Sequence, residues 1–250
     1  MYLLLSGEGP GDIGTCCTES DCCDRTEFKE GPMTIIVDQL VGVIQQYEMS
    51  YLDTDRVSYV SESYLAQKKQ APRKKQMSLK GKKRPPETKY YFENARALAT
   101  VALAKQAEVN DSVVAVLFRD SDGTASAGRG DWKDKRDSML AGFAAENYEL
   151  GVAMIPKPKS EAWLLCAVKQ NPYQHCANLE SESGNDNSIN PLKSQLEEAL
   201  NGGTSTQDLN QLIRDKSIDA ENIDMPSFTA FKACLEYAVK EAHKSQTMEE

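Results

Sequence analysis

The run Ser112 to Phe118, S-V-V-A-V-L-F, holds no charge, proline or glycine, and it stops abruptly at Arg119-Asp120-Ser121-Asp122-Gly123. A half-exposed strand would alternate apolar and polar side chains, whereas an unbroken β-branched run suits a strand of a parallel sheet with both faces covered. Such a strand needs neighbours and covering layers. Tyr2 to Ser6 is a second apolar run, ended by Gly7, and Leu150 to Ile155 is a third. Arg56 to Tyr64 alternates Val57 and Tyr59 and reads as a strand over its first half. Between these runs, Met33 to Tyr47, the alanine-rich Tyr90 to Ala107 closed by Asn110, and Lys135 to Tyr148 carry apolar residues at helical spacing. The alternation β-α-β-α-β-α-β predicts an α/β fold, a mostly parallel sheet with helices on both faces.

The remaining segments are less regular. Glu8 to Pro32 is rich in Gly, Asp, Ser and Cys and reads as loop. Ser160 is expected to cap a helix running to about Lys169, and Gln170 to Ile189 to be an irregular, flexible loop. Pro191 to Leu200, Thr206 to Arg214 and Ser227 to Ala242 read as helices without enough apolar surface to fold alone. The expected organisation is a domain over 1–170 with a C-terminal helical extension over 171–250.

Charge is distributed unevenly. The chain holds 29 Lys and Arg against 38 Asp and Glu, a net of −9. From Ala66 to Arg84 there are nine basic residues and no acidic one, which leaves 20 basic against 38 acidic elsewhere, a net of −18. With Pro72, Gly81, Pro85 and Pro86, this insert over 66–86 reads as a mobile loop. It is either a solvated insert or an arm for phosphates, with Lys74, Lys75, Lys82, Lys83 and Arg84 as the nucleic-acid contacts.

Composition excludes several chemistries. At 250 residues and 40% hydrophobic, the chain can bury one substantial core. Only two histidines are present, which disfavours histidine-rich zinc sites and Ser-His-Asp hydrolysis. No apolar run approaches the roughly 18 residues of a membrane helix. The opening Met-Tyr-Leu-Leu-Leu lacks a basic lead and reads as neither signal peptide nor anchor, so a cytoplasmic location is expected. Seven cysteines, an odd number, then suggest reduced thiols rather than a disulfide frame. Cys16, Cys17, Cys22 and Cys23 form C-C-x4-C-C, read as free loop thiols more readily than as a zinc site, while Cys166 and Cys234 fall on apolar helix faces.

In open parallel sheets ligands gather beyond the carboxyl ends of the strands. Glu8 lies just past the first strand and Asp120 and Asp122 just past the third, so three carboxylates can meet on one sheet edge. Residues two apart in an extended segment point the same way, so one ion can meet both aspartates. Oxygen-only ligation favours Mg2+ or Mn2+ over zinc. Asp12 is either a further carboxylate or a turn former. Glu161 is either part of the site or an acid favoured by a helix N-terminus. Arg119, Lys157 and Lys159 are either phosphate contacts or rim charges, and Arg129, in the glycine-rich A-G-R-G-D-W, either closes over a nucleic-acid backbone or is only loop.

Together, L-L-L-S-G-E-G-P-G-D-I-G, L-F-R-D-S-D-G and P-K-S-E-A-W-L-L resemble the Toprim fold, in particular the Toprim-like proteins described as domain of unknown function 4276. Toprim domains carry a glutamate after the first strand and a D-x-D after the third, and bind Mg2+ in topoisomerases, primases and nucleases of the overcoming-lysogenization-defect type. The resemblance matches Glu8 to that glutamate, Asp120 and Asp122 to D-x-D, and Glu161 with Trp163 to an acid before an aromatic. Met225-Pro226-Ser227-Phe228 resembles the closing P-S-F helix start. The resemblance covers Tyr2 to about Trp163 in topology and, more weakly, the C-terminal helices; Thr15 to Glu30 and the basic loop are insertions. It implies a Mg2+-dependent nuclease, with Glu8, Asp120, Asp122 and Glu161 catalytic and the first three holding metal. By analogy with bacterial anti-phage systems it also implies an effector working beside an ATPase partner. The alternatives are a non-catalytic nucleic-acid-binding Toprim module and a phosphoacceptor receiver-like domain.

Overall fold

The computed structural model describes residues 1–47, 49–68, 86–121 and 130–247, with backbone alone at 86–87 and 245–247. The expected alternation is present. Strand β1 (Tyr2–Gly7) is followed by three short strands, β2 (Gly14–Cys16), β3 (Cys22–Asp24) and β4 (Phe28–Glu30), and by helix α1 (Pro32–Gln45). Then come β5 (Val57–Ser61), α2 (Glu62–Gln67), α3 (Pro86–Val109), β6 (Val113–Phe118), α4 (Trp132–Ala145) and β7 (Gly151–Met154). Helices α5 (Ser160–Val168), α6 (Leu192–Ala199), α7 (Thr206–Arg214) and α8 (Pro226–Thr247) complete the chain.

Local chemistry explains the helix starts. Pro32 sits in the first turn of α1, where its missing N–H costs nothing. Ser61 caps α2 by accepting from the Tyr64 N–H. Asp131 and Asp134 form a reciprocal capping box at α4. Helix α3 ends where Asn110 adopts a left-handed conformation, at φ 49°.

The main sheet has the order β3-β5-β1-β6-β7, parallel throughout except that β3 runs antiparallel to β5. Leu5 sits beside Tyr59 on one side and Val116 on the other, and Val116 beside Val152. Every residue of β6 is buried. Successive side chains enter opposite cores, as strand geometry requires. Leu3, Leu5, Val114, Val116 and Phe118 pack with α1, α5 and α8, while Leu4, Val113, Ala115 and Leu117 pack with α3 and α4. The C-terminal helices therefore share the sheet's own core.

Four expectations are corrected. The stretch from Glu8 to Pro32 is not simply loop: β2 and β4 pair with each other, and β3 adds an edge to the main sheet. These strands are three residues long, too short for periodicity to register. Gln170 to Ile189 contains a 3-10 segment at Cys176–Ser181. The cysteines are not all reduced: Cys16 is bonded to Cys23 and Cys166 to Cys176, leaving Cys17, Cys22 and Cys234 free. An odd count leaves room for pairs, and the chain reversal after α5 that unites Cys166 with Cys176 has no sequence period. Of the insert read as loop over 66–86, Ala66 and Gln67 end α2 and Pro86 begins α3, so its ends are helical; residues 69–85, with Lys74, Lys75, Lys82, Lys83 and Arg84, lie outside the described residues, as do Asp122 and Arg129. Among the described residues no helix is long and apolar enough to cross a membrane.

Candidate functional site

The first and third strands of the alternation end side by side because Gly7 lets them. A Cβ at Gly7 would meet the Phe118 carbonyl oxygen at 2.5 Å, so only glycine admits β6 this close. Just beyond, the Asp120 backbone N–H donates to Glu8 Oε1 at 3.1 Å. The expected meeting of Glu8 with Asp120 at one sheet edge is thus present in the geometry.

Two further acids join them. The N-terminal turn of α5 directs the Ser160 N–H at Asp120 Oδ1, 2.9 Å away, and its hydroxyl donates to Asp12 Oδ1 at 2.6 Å. Ser160 therefore bridges Asp12 and Asp120. It is the first residue of α5, not its cap; Lys159 occupies the cap position without a side-chain bond. Glu161 follows, its Oε2 accepting a longer bond from Ser160 Oγ at 3.4 Å. Asp12 also works as a turn former: its N–H bonds the Gly9 carbonyl, and its own carbonyl accepts from Met33 at the start of α1. Trp163, fully buried two residues beyond Glu161, anchors this helix by donating to Ser227 Oγ at 2.8 Å and packing edge-on against Phe228. The P-S-F start of α8 is therefore the seat of the α5 tryptophan.

Electrostatics follow from this crowding. Burial, then the charges of Asp12 and Glu161 with a smaller push from Glu8, raise the Asp120 carboxyl well above the ordinary aspartate range, against the opposing Ser160 N–H. Burial raises Asp12 too, with Glu161 adding to the push and the Ser160 hydroxyl opposing it. The site holds more carboxylate than its surroundings neutralise.

Arg119 is the cation drawn in. Its guanidinium pairs with Glu8 Oε2 at 2.9 Å and with Glu62 Oε1 at 2.8 Å, and lies over the Tyr90 ring at 4.3 Å. Burial opposes its charge, but Glu8 and Glu62 outweigh that cost and keep it protonated. Glu62 is held in turn by the Tyr90 hydroxyl and the Asn94 amide. Lys159 pairs with Asp186 at 2.9 Å, and Lys157 lies 3.8 Å from Glu180. Arg119, Lys157 and Lys159, read as phosphate contacts, thus already face acids here.

The backbone at Asp120 and Ser121 is fixed independently. The buried Lys135 donates through Nζ to the Ser121 carbonyl, the Ser121 hydroxyl donates to the Pro158 carbonyl, and the Tyr91 hydroxyl donates to the Asp120 carbonyl at 2.6 Å. Sequence reasoning missed Ser160 as a bridge, and missed Glu62, Tyr91 and Lys135 altogether. Only their folded positions identify them.

Among the described residues no three His, Cys, Asp or Glu side chains stand in a metal-holding arrangement. The donor set nonetheless fits a hard divalent cation: all oxygens, an excess of negative charge, and buried carboxyls whose ionised forms are disfavoured until a cation offsets them. Comparison of the chain with protein-family models, curated proteins and solved structures finds no match. The Toprim resemblance therefore rests on the sequence motifs alone.

Proposed function

We propose that this chain is a Mg2+- or Mn2+-dependent phosphodiesterase that cleaves nucleic acid, a nuclease of the Toprim-like kind. The supporting observation is the hydrogen bond from Asp120 N–H to Glu8 Oε1, which brings the acid after the first strand against the first acid after the third. Glu8, Asp120 and Asp122 would hold the cation. When bound, it neutralises charge on the phosphoryl oxygens and makes water a better nucleophile.

The chain's own residues supply the rest. Glu8 has one carboxylate oxygen fixed by the Asp120 N–H and the other engaged by Arg119. Exchange of Arg119 from Glu8 to a substrate phosphate would release the Glu8 carboxylate from that ion pair, either to hold the cation or to act as general base. Asp120 is oriented by the Ser160 N–H, and Ser160 is held by the buried α5–α8 contact through Trp163. Glu161 contributes charge at the same edge. The basic insert supplies phosphate contacts that offset the acidic body. The effector role with an ATPase partner belongs to the same proposal and rests on the resemblance alone.

The test is cleavage of labelled DNA and RNA with millimolar Mg2+ or Mn2+, read beside thermal melting with and without metal. Metal-dependent cleavage lost in Glu8→Gln, with a metal-induced rise in melting temperature lost in Asp120→Asn, supports the proposal. Nucleic-acid binding without cleavage in the presence of the partner ATPase, insensitive to Glu8→Gln, replaces it with the non-catalytic module. Labelling by acetyl phosphate at Asp120 replaces it with the receiver-like reading.

A further inference from the structure

Residues 16–23 contain two concentric cysteine pairs. The outer pair along the chain, Cys16 and Cys23, is bonded and buried, with Cα atoms 5.9 Å apart. Counting one residue inward along the chain from each gives Cys17 and Cys22, both exposed free thiols. Side chains alternate along extended chain, so where the bonded pair faces the core the second pair faces solvent. Only residues 18–21 separate the two free thiols. The Ser20 hydroxyl donates to the Cys22 carbonyl at 2.6 Å and accepts from its N–H at 3.3 Å, which turns the chain back on itself. On the other arm the Cys17 N–H is fixed to the Glu27 carbonyl at 2.7 Å.

The loop so closed carries an anchor. The Asp21 carbonyl accepts from the Ser61 N–H at 2.8 Å, and its carboxylate accepts from the Ser61 hydroxyl at 2.6 Å and from Gln67. Ser61 caps α2, whose first residue is Glu62, the partner of Arg119. The loop between the thiols therefore holds the start of the helix that carries one of Arg119's two carboxylates.

We propose that Cys17 and Cys22 form a redox-active dithiol that small-molecule disulfides of the glutathione class oxidise to a Cys17–Cys22 disulfide, tightening the Asp21–Ser61 anchor of α2. The reaction is two thiol–disulfide exchanges. One protein thiol gives its proton to solvent, and its thiolate attacks glutathione disulfide. That S–S bond breaks, and the released glutathione thiolate takes up a proton. The second protein thiol likewise gives up its proton, and its thiolate attacks the protein sulfur of the mixed disulfide and expels the second glutathione, which is protonated in turn. Two protein thiols are oxidised, one glutathione disulfide is reduced to two thiols, and protons balance. The Cys16–Cys23 and Cys166–Cys176 pairs are already bonded and do not enter. The inference does not depend on the nuclease reading.

The experiment uses full-length protein with Cys234→Ala, which leaves Cys17 and Cys22 as the free thiols. It is incubated with glutathione disulfide, alkylated after denaturation, and weighed intact. The expected product has lost both alkylatable thiols and carries no glutathione, while Cys17→Ser and Cys22→Ser each retain one glutathione. Amide exchange over Ser61–Gln67 is expected to slow on oxidation of the dithiol and to be unchanged by glutathione disulfide in Cys17→Ser. Retention of glutathione by the protein with both thiols, or full alkylation at equilibrium with the disulfide, would overturn the dithiol. Unchanged amide exchange after clean oxidation would overturn the coupling to α2. Both readouts are independent of nuclease activity.

Discussion

Asp120→Asn is expected to stabilise the fold above the ordinary aspartate pKa of about 4, and to do so increasingly as pH rises. Burial and the neighbouring Asp12, Glu161 and Glu8 raise the Asp120 carboxyl in the folded protein, so the native state holds this proton over a pH range where the unfolded chain has released it. Stability depends on pH as the protons bound by the unfolded state minus those bound by the native state. That difference is negative here, so wild-type stability falls as pH rises from the unfolded value to the folded one and levels above it. One group contributes at most about 1.36 kcal/mol per pH unit within that window. The bond from the Ser160 N–H is worth about 1 kcal/mol more to a carboxylate than to an amide, but it opposes the shift and is outweighed, since the net direction is upward.

Urea unfolding of both proteins at steps from about pH 4 upward isolates the site, because the shift of Asp38, raised by burial and not among the charges acting on Asp120, is common to both and cancels, while the loss of the mutual push between Asp12 and Asp120 adds to the difference in the same direction. The difference should start small, grow in favour of Asp120→Asn and then plateau. Each pH unit of growth corresponds to about 3 to 5 °C in melting temperature for a chain of this size. Saturating Mg2+ should flatten the wild-type decline, since a cation relieves the same repulsion. A difference curve that is flat, or that favours wild type at high pH, would refute the electrostatic account of the site.

The other expectations are briefer. Glu8→Gln should lower cleavage by about 10²- to 10⁴-fold, the usual contribution of a general base, while circular dichroism shows an unchanged fold. Ser160→Ala removes the hydroxyl donor to Asp12 and should cost about 1 to 3 kcal/mol, a loss that Asp12→Asn in the same chain should reduce, read by urea titration. Trp163→Ala empties a fully buried position against Phe228 and Phe231 and should cost about 3 to 5 kcal/mol, read the same way. Removing residues 69–84 should weaken nucleic-acid binding and reduce its log-log salt slope by about 0.7 to 0.9 for each phosphate that the insert neutralises, measured by fluorescence anisotropy.

The elements that sequence reading located are those whose signal is a period or an unbroken run. The 112–118 run, the two other parallel strands read as apolar runs and helix α1 fall within a few residues of expectation, because burial on one or both faces writes itself directly into residue order. The short strands around the cysteines left no such trace; each is three residues long and is held by pairing to distant chain. The site divides along the same line. Glu8 and Asp120 were legible because strand ends are legible, and ligands gather there. Ser160 looked like a helix cap because serine before a helix normally is one, and its actual partners, Asp12 and Asp120, lie 148 and 40 residues away.

Arg119 shows why the same residue type reads differently in sequence and in structure. Next to a D-x-D, an arginine suggests a phosphate contact, and the sequence contains nothing to oppose that. The fold brings Glu8 and Glu62 to either side of it, so in the free protein its charge is already spent on carboxylates. A phosphate must therefore compete with two ion pairs, both partly sheltered from water and so more costly to break than exposed ones. The competition has a direction. Releasing Arg119 from Glu8 leaves that carboxylate among Asp12, Asp120 and Glu161 without its guanidinium, which raises the local affinity for a divalent ion at the moment a phosphate arrives. Cation and phosphate should thus bind with positive coupling: each makes the site more favourable for the other, and by linkage the factor is the same in both directions.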